Sequence, residues 1–212
     1  MNRLVTFGCS HTYGQALPDV WDYENNKEIT TQGPSKYAWP QILADKLNLE
    51  CVNLGLPGAS NKEVWFHIVN TEFKKSDIVI ILWPVKLRWC IIEDPVPYTG
   101  EVVQIGPFNR RIKHPPSIAF FKYIYNEQDH IIDYIMRVNY VSMLLKNKVK
   151  ILKHYETEIT EPYNYPKWFD SNIEKVNFVQ DILDIYPKAM DNGHPGEEGN
   201  KAFADILYKD LC

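Results

Sequence analysis

The chain has 212 residues and a formal net charge of -4, from 23 lysines and arginines against 27 aspartates and glutamates with histidine neutral. Hydrophobic residues make up 45% and charged residues 24%, an ordinary globular mix that excludes a mainly disordered chain and is enough to fill a sizeable core. The mildly acidic balance argues against a protein that holds nucleic acid by neutralising phosphates, since such a surface needs a basic excess, and the short Lys74-Lys75 and Arg110-Arg111 clusters read as solvated faces.

Met1-Asn2-Arg3 runs directly into Leu4-Val5-Thr6-Phe7, with no pattern of a secretory leader, so the expectation is a cytoplasmic protein. Leu4 to Gly8 reads as a buried strand ending in a tight turn, and residues 11 to 36 as loop. Trp39 to Leu49 carries apolar residues at helical spacing with Pro40 in its first turn. Cys51 to Leu54 reads as a second strand, and Ser60 as the N-cap of a helix from about Asn61 to Lys74. Asp77 to Trp83 is continuous and β-branched, as expected of a strand covered on both faces. The apolar stretch from Ile78 to Pro84 is far short of the roughly 18 residues a membrane span requires, so no membrane partner is expected.

Six prolines between residues 84 and 118 argue against a helix interior or central strand there and for a long irregular excursion. Ile118 to Lys146 reads as one long helix or two shorter ones, and Val149 to Leu152 as a strand. A second irregular stretch, 154 to 172, is rich in aromatic residues. A helical region is expected around Ile173 to Ile185, and a closing helix from about Glu197 to Leu211 that buries Ala202, Phe203, Ile206 and Leu207. Alternating strands and helices imply right-handed crossovers and a three-layer α/β/α arrangement with a mostly parallel sheet, within a single domain over residues 1 to 212 at roughly 100 to 200 residues per domain. Ligands in that architecture bind beyond the carboxyl ends of the strands.

Several chemistry-bearing segments converge on that edge. Gly8-Cys9-Ser10 follows the first strand, Asn53-Leu54-Gly55-Leu56-Pro57-Gly58 the second and Trp83-Pro84 the third, while Asp191 to His194 precedes the last helix. A serine hydroxyl needs a base to become a nucleophile, and a histidine base needs a carboxylate to fix its tautomer. Asp191 stands three residues before His194, close enough to orient its ring. The four cysteines, Cys9, Cys51, Cys90 and Cys212, lack regular spacing and read as reduced thiols, three of them buried. Cys9-Ser10-His11 has no neighbours that complete a zinc site, so no metal is expected.

These blocks resemble the SGNH or GDSL hydrolase family. Gly8-Cys9-Ser10 stands where that family has its GDS-like block, with cysteine in place of aspartate; Asn53 to Ser60 matches the second block; Asp191 and His194 match the closing D-x-x-H. The resemblance implies a flavodoxin-like sheet and a serine esterase without a cofactor. In it Ser10 is the nucleophile, His194 the base and Asp191 its orienting carboxylate, with the Ser10 and Gly58 backbone N–H groups as oxyanion donors. One block departs from the pattern: after the third strand the family places an asparagine donor, whereas this chain reads Trp83-Pro84-Val85-Lys86-Leu87-Arg88-Trp89. Arg88, or the indole N–H of Trp83 or Trp89, stands near enough in sequence to substitute, and Arg88, Trp83, Trp89 and Asn53 are candidate substrate-binding residues. His11 reads as structural, and His67, His114, His130 and His154 as surface or satisfied core groups.

The implied substrate is a small-molecule or glycan ester carrying a small acyl group such as acetyl, because the aromatic-rich segments could stack on sugar. Two alternatives stay open: a lipid or thioester hydrolase of the same fold, and a non-catalytic carbohydrate-binding or assembly protein.

Overall fold

The computed structural model describes residues 2–29, 33–92, 102–105, 115–157 and 173–212. Its central element is a five-stranded sheet of β1 (Arg3–Gly8), β4 (Glu50–Gly55), β5 (Ile78–Trp83), β8 (Ile151–Glu156) and β9 (Ile173–Asn177), ordered β4-β1-β5-β8-β9 with every neighbouring pair parallel. Numbered by chain order among themselves, these strands run 2-1-3-4-5, the flavodoxin-like arrangement whose switch point lies between β1 and β5. Two two-stranded ladders lie outside this sheet: β2 (Trp21–Asp22) with β3 (Lys27–Glu28), and β6 (Trp89–Ile92) with β7 (Val102–Ile105).

The period of two in the strands sorts their side chains onto two faces. Val5, Phe7, Val79, Ile81 and Trp83 point to one side, where they pack against α3 (Asn61–Val69) and α5 (Glu127–Leu145). Leu4, Ile78, Ile80, Leu82 and Tyr155 point to the other, against α2 (Trp39–Leu47) and α6 (Glu197–Leu211). All six residues of β5 are buried, as expected of a strand covered by helices on both sides.

Helix ends follow local chemistry. The Ser60 side chain accepts the Glu63 N–H at 3.2 Å and starts α3, which ends at Val69 and not near Lys74. Asn48, left-handed at φ 54°, stops α2 at Leu47 before the strand-directed Leu49. The stretch expected as one or two helices is two, α4 (Pro115–Tyr123) and α5, the latter capped by Asn126, which accepts from the Gln128 and Asp129 amides. In α6, Phe203 and Leu207 are buried, and Ala202 and Ile206 are half-buried.

Several expectations are corrected. Ile173 to Asn177 is an edge strand, and only the turn Val179–Leu183 after it is helical. The strand expected at Val149 to Leu152 runs from Ile151 to Glu156, which places His154 and Tyr155 inside the sheet. The loop expected over 11 to 36 contains a one-turn helix, α1 (Ser10–Tyr13), with Ser10 as its first residue. The proline-rich excursion holds the β6-β7 ladder and the start of α4, where Pro115 and Pro116 occupy a first turn that needs no amide donors. Its residues 93–101 and 106–114, and residues 158–172 of the second excursion, lie outside the described residues, as do Arg110, Arg111 and His114. All four cysteines are free; Cys9 and Cys90 are buried, Cys51 is half-buried and Cys212 exposed.

Candidate active site

Ser10 stands two residues beyond Gly8, the last paired residue of β1, on a turn held by bare backbone. A Cβ on Gly8 would lie 2.8 Å from the Leu82 carbonyl oxygen and collide with Thr12 Oγ1, and one on Gly55 would lie 2.5 Å from the Tyr13 nitrogen. Two glycines at strand ends therefore let α1 settle directly on the sheet edge. Asn53 fastens it there: its Nδ2 donates to the Thr12 carbonyl at 2.8 Å and its Oδ1 accepts the Gly55 N–H at 2.9 Å. That side chain, a candidate for substrate binding in the sequence, has both amide atoms committed to backbone and braces the turn. Ser10 is only 2% exposed. Among the described residues its hydroxyl, its N–H and the Gly58 N–H have no hydrogen-bond partner, and Gly58 is left-handed at φ 76°.

Asp191 and His194 share one tight turn. The Asp191 carboxylate accepts the Gly193 N–H at 2.9 Å, the His194 N–H at 3.1 Å and the His194 Nδ1 at 2.5 Å. Partial burial works to raise the Asp191 pKa, but the Gly193 amide and the His194 charge and hydrogen bonds outweigh it, holding the carboxyl below its ordinary value. An ionised Asp191 fixes the proton on Nδ1 and leaves Nε2 as the basic nitrogen, which has no partner among the described residues. The Met190 N–H donates to the Ala16 carbonyl at 3.3 Å, tying this loop to the segment just after α1.

His11 joins the two halves. Its ring centroid lies 5.1 Å from that of His194 and 5.0 Å from that of Phe178. Burial, followed by the charges of His194 and Arg88, pushes its pKa well below the ordinary histidine value, so it is a neutral wall of the site. The structure thus brings the Ser10-His11 turn against His194, across more than 180 positions of sequence.

The segment after β5 divides its candidates. Trp83 is fully buried on the face of α5, and its Nε1–H donates to His154 Nδ1 at 3.1 Å. His154 Nε2 in turn lies 3.0 Å from Ser142 Oγ, which donates to the Val138 carbonyl at 2.9 Å. The indole N–H of Trp83 is therefore committed to the core, and Trp83 is neither an oxyanion donor nor a substrate contact. Trp89 stacks on Phe120 at 6.0 Å and meets His130 edge-on at 5.1 Å, lining a cavity of about 190 Å³ with Asn126 and Asp133. Arg88 is half-buried, and its Nη1 is buried with no hydrogen-bond partner among the described residues. Sequence reasoning missed Asn53 as a brace and Asn200 as the anchor of the histidine loop. Asn200 is fully buried, accepts the Trp39 N–H at 3.0 Å, and donates to the Pro195 and Gly196 carbonyls. An asparagine inside an otherwise apolar helical stripe is the signal that could have found it.

Among the described residues no group of three His, Cys, Asp or Glu side chains is placed to hold a metal ion, and no helix is long and apolar enough to cross a membrane.

No protein-family profile and no curated protein matches the chain. Solved structures do. A G-D-S-L family protein from Desulfitobacterium hafniense DCB-2 is similar at 14% identity over 98% of each chain, with a TM-score of 0.51. An acetyl xylan esterase from the rumen bacterium Butyrivibrio proteoclasticus is similar at 11% identity, covering 99% of this chain and 63% of that one, with a TM-score of 0.53. A family two carbohydrate esterase from Cellvibrio japonicus is similar at 14% identity, covering 100% of this chain and 60% of that one, with a TM-score of 0.52. The chain spans under two thirds of these two esterases. At these identities the likeness is one of fold: the chain has the fold of these SGNH/GDSL-type proteins.

Proposed function

We propose that this protein is a serine esterase that removes small acyl groups, such as acetyl, from a carbohydrate or a small-molecule ester. The observation that carries the reading is the Asp191–His194 pair at 2.5 Å with the His194 ring packed on His11, the immediate neighbour of Ser10. In the proposed cycle Ser10 Oγ attacks the ester carbonyl while His194 Nε2 takes its proton. Asp191 stabilises the resulting imidazolium, and the Ser10 and Gly58 amides donate to the oxyanion. Collapse expels the alcohol, which receives the proton from His194. A water molecule, deprotonated by the same nitrogen, then attacks the acyl-enzyme and releases the acid and free Ser10. The carbohydrate part of the reading is supported by the fold shared with an acetyl xylan esterase and a carbohydrate esterase.

A binding module on the same fold is the second reading, favoured by the absent third-block asparagine and by a Ser10 hydroxyl that bonds to no described residue. Covalent labelling with a fluorophosphonate separates the two. Wild type labels and Ser10→Ala does not if the esterase reading holds; equal labelling of both refutes the nucleophile, and glycan binding without labelling favours the module.

A further inference from the structure

Arginine is costly to leave without a counter-charge, because its five donors need acceptors once water is removed. Two of the arginines among the described residues obey this. Arg3 forks onto Asp77 at 3.0 and 2.6 Å, and Arg137 onto Asp133 at 2.8 and 2.7 Å. Arg88 is the exception: its Nη1 is buried with no hydrogen-bond partner, and among the described residues no carboxylate pairs with it. It stands five residues past the carboxyl end of β5, the strand paired with β1 at the sheet's switch point, and its positive charge is one of the causes that hold the pKa of His11, the residue after Ser10, below its ordinary value. The other two side chains that could occupy this position are engaged elsewhere, Trp83 with His154 in the core and Trp89 with Phe120 and His130.

We infer that Arg88 is the third oxyanion donor of this site, its unpartnered guanidinium N–H placed to hydrogen-bond the carbonyl oxygen of the ester as it becomes negative. This rests on the esterase reading above. An acceptor that exists only during turnover accounts for a buried Nη1 donor that has none among the described residues, and a guanidinium delivers a full positive charge where an asparagine would deliver a dipole. Arg88 then belongs to the chemical step and not to the grip on the ground-state substrate.

The test uses an uncharged short-chain aryl ester, which offers arginine no anionic handle. Ser10→Ala measured beside wild type first establishes Ser10-dependent turnover. Arg88→Ala is then expected to lower kcat by about 10²- to 10³-fold with KM nearly unchanged, with partial rescue by added guanidinium ion and an intermediate rate in Arg88→Lys. Melting temperatures show whether each variant is folded; if Arg88→Ala is not, the kcat and KM of Arg88→Lys carry the comparison. Ser10-dependent turnover with kcat retained in the Arg88 variants, or a rise in KM alone, overturns the inference and leaves the esterase reading standing. Absence of Ser10-dependent turnover in wild type overturns both.

Discussion

Acidification is expected to remove a defined part of the stability of this protein through one buried imidazole. His154 sits inside the sheet at 1% exposure, with Nδ1 accepting from the Trp83 indole and Nε2 bonded to Ser142. Both nitrogens are satisfied only in the neutral ring protonated on Nε2. Burial pulls its pKa from 6.5 to about 4. As pH falls below 6.5 the unfolded chain takes up a proton there, while the native ring refuses one until about 4, so unfolding is increasingly favoured across that window and the loss is complete below it. At about 1.4 kcal/mol per pH unit the interval corresponds to about 3 kcal/mol, or a melting temperature lower by about 6 to 12 °C for a protein of this size. Burial holds His11 low as well, so the measurement must isolate one residue. Urea unfolding of wild type and His154→Gln at about pH 7 and about pH 4 does so, because every other titration is common to both proteins. Wild type is expected to lose about 3 kcal/mol more than the variant between the two conditions. Equal losses would refute the neutral, doubly bonded His154 and with it the commitment of Trp83 to the core.

Two further outcomes test how the site is held. Asp191→Asn keeps the volume of the side chain but no longer fixes the proton on His194 Nδ1, so kcat on a short-chain aryl ester is expected to fall about 10⁴-fold with the circular dichroism spectrum retained; a fall of less than tenfold in steady-state kinetics would sink the orienting role. Asn200→Ala strips the Trp39 amide of its acceptor and frees the Pro195 and Gly196 carbonyls, so unfolding is expected to cost about 1–3 kcal/mol less and kcat to fall more than KM rises; a variant as active and as stable as wild type would show that the clasp does not position His194.

Much of the fold was legible because its strands carry their own signal. Ile78 to Trp83 is apolar at every position and is the middle strand of the five, buried along its whole length. Ile173 to Asn177 is different. Its charged Glu174 and Lys175 give no two-residue alternation strong enough to read, and it is a strand because β8 offers an edge, through a pairing that shifts register between Tyr155 and Glu156. Prolines hid the β6-β7 ladder in the same way, since none of them falls inside its two short strands. For the candidate site, Ser10, Gly58, Asp191 and His194 stand out in the sequence by spacing, whereas the side of the sheet that Trp83 faces was legible only as parity. Counting in twos from Val79 and Ile81 puts Trp83 on the face they share, toward α3 and α5, and the burial of every β5 position puts its indole in the interior.

The spacing between Ser10 and His194 says nothing about why the Ser10-His11 turn lies against the His194 ring, and the structure supplies that step. The last helix lies along α2 through the edge-on packing of Trp39 against Phe203 at 5.4 Å, and Asn200 locks the first amide of α2 to the carbonyls that begin α6. The histidine turn is thereby fixed to a helix that enters the sheet immediately before β4. On β4 itself, Asn53 and Gly55 hold the serine turn from below. Both ends of the candidate triad are thus referred to the α2-β4 unit, a part of the chain that contributes no reacting atom. A change in α2 packing should therefore alter the Ser10–His194 approach as surely as a change in either residue, and that dependence is a property of the tertiary arrangement that no short motif encodes.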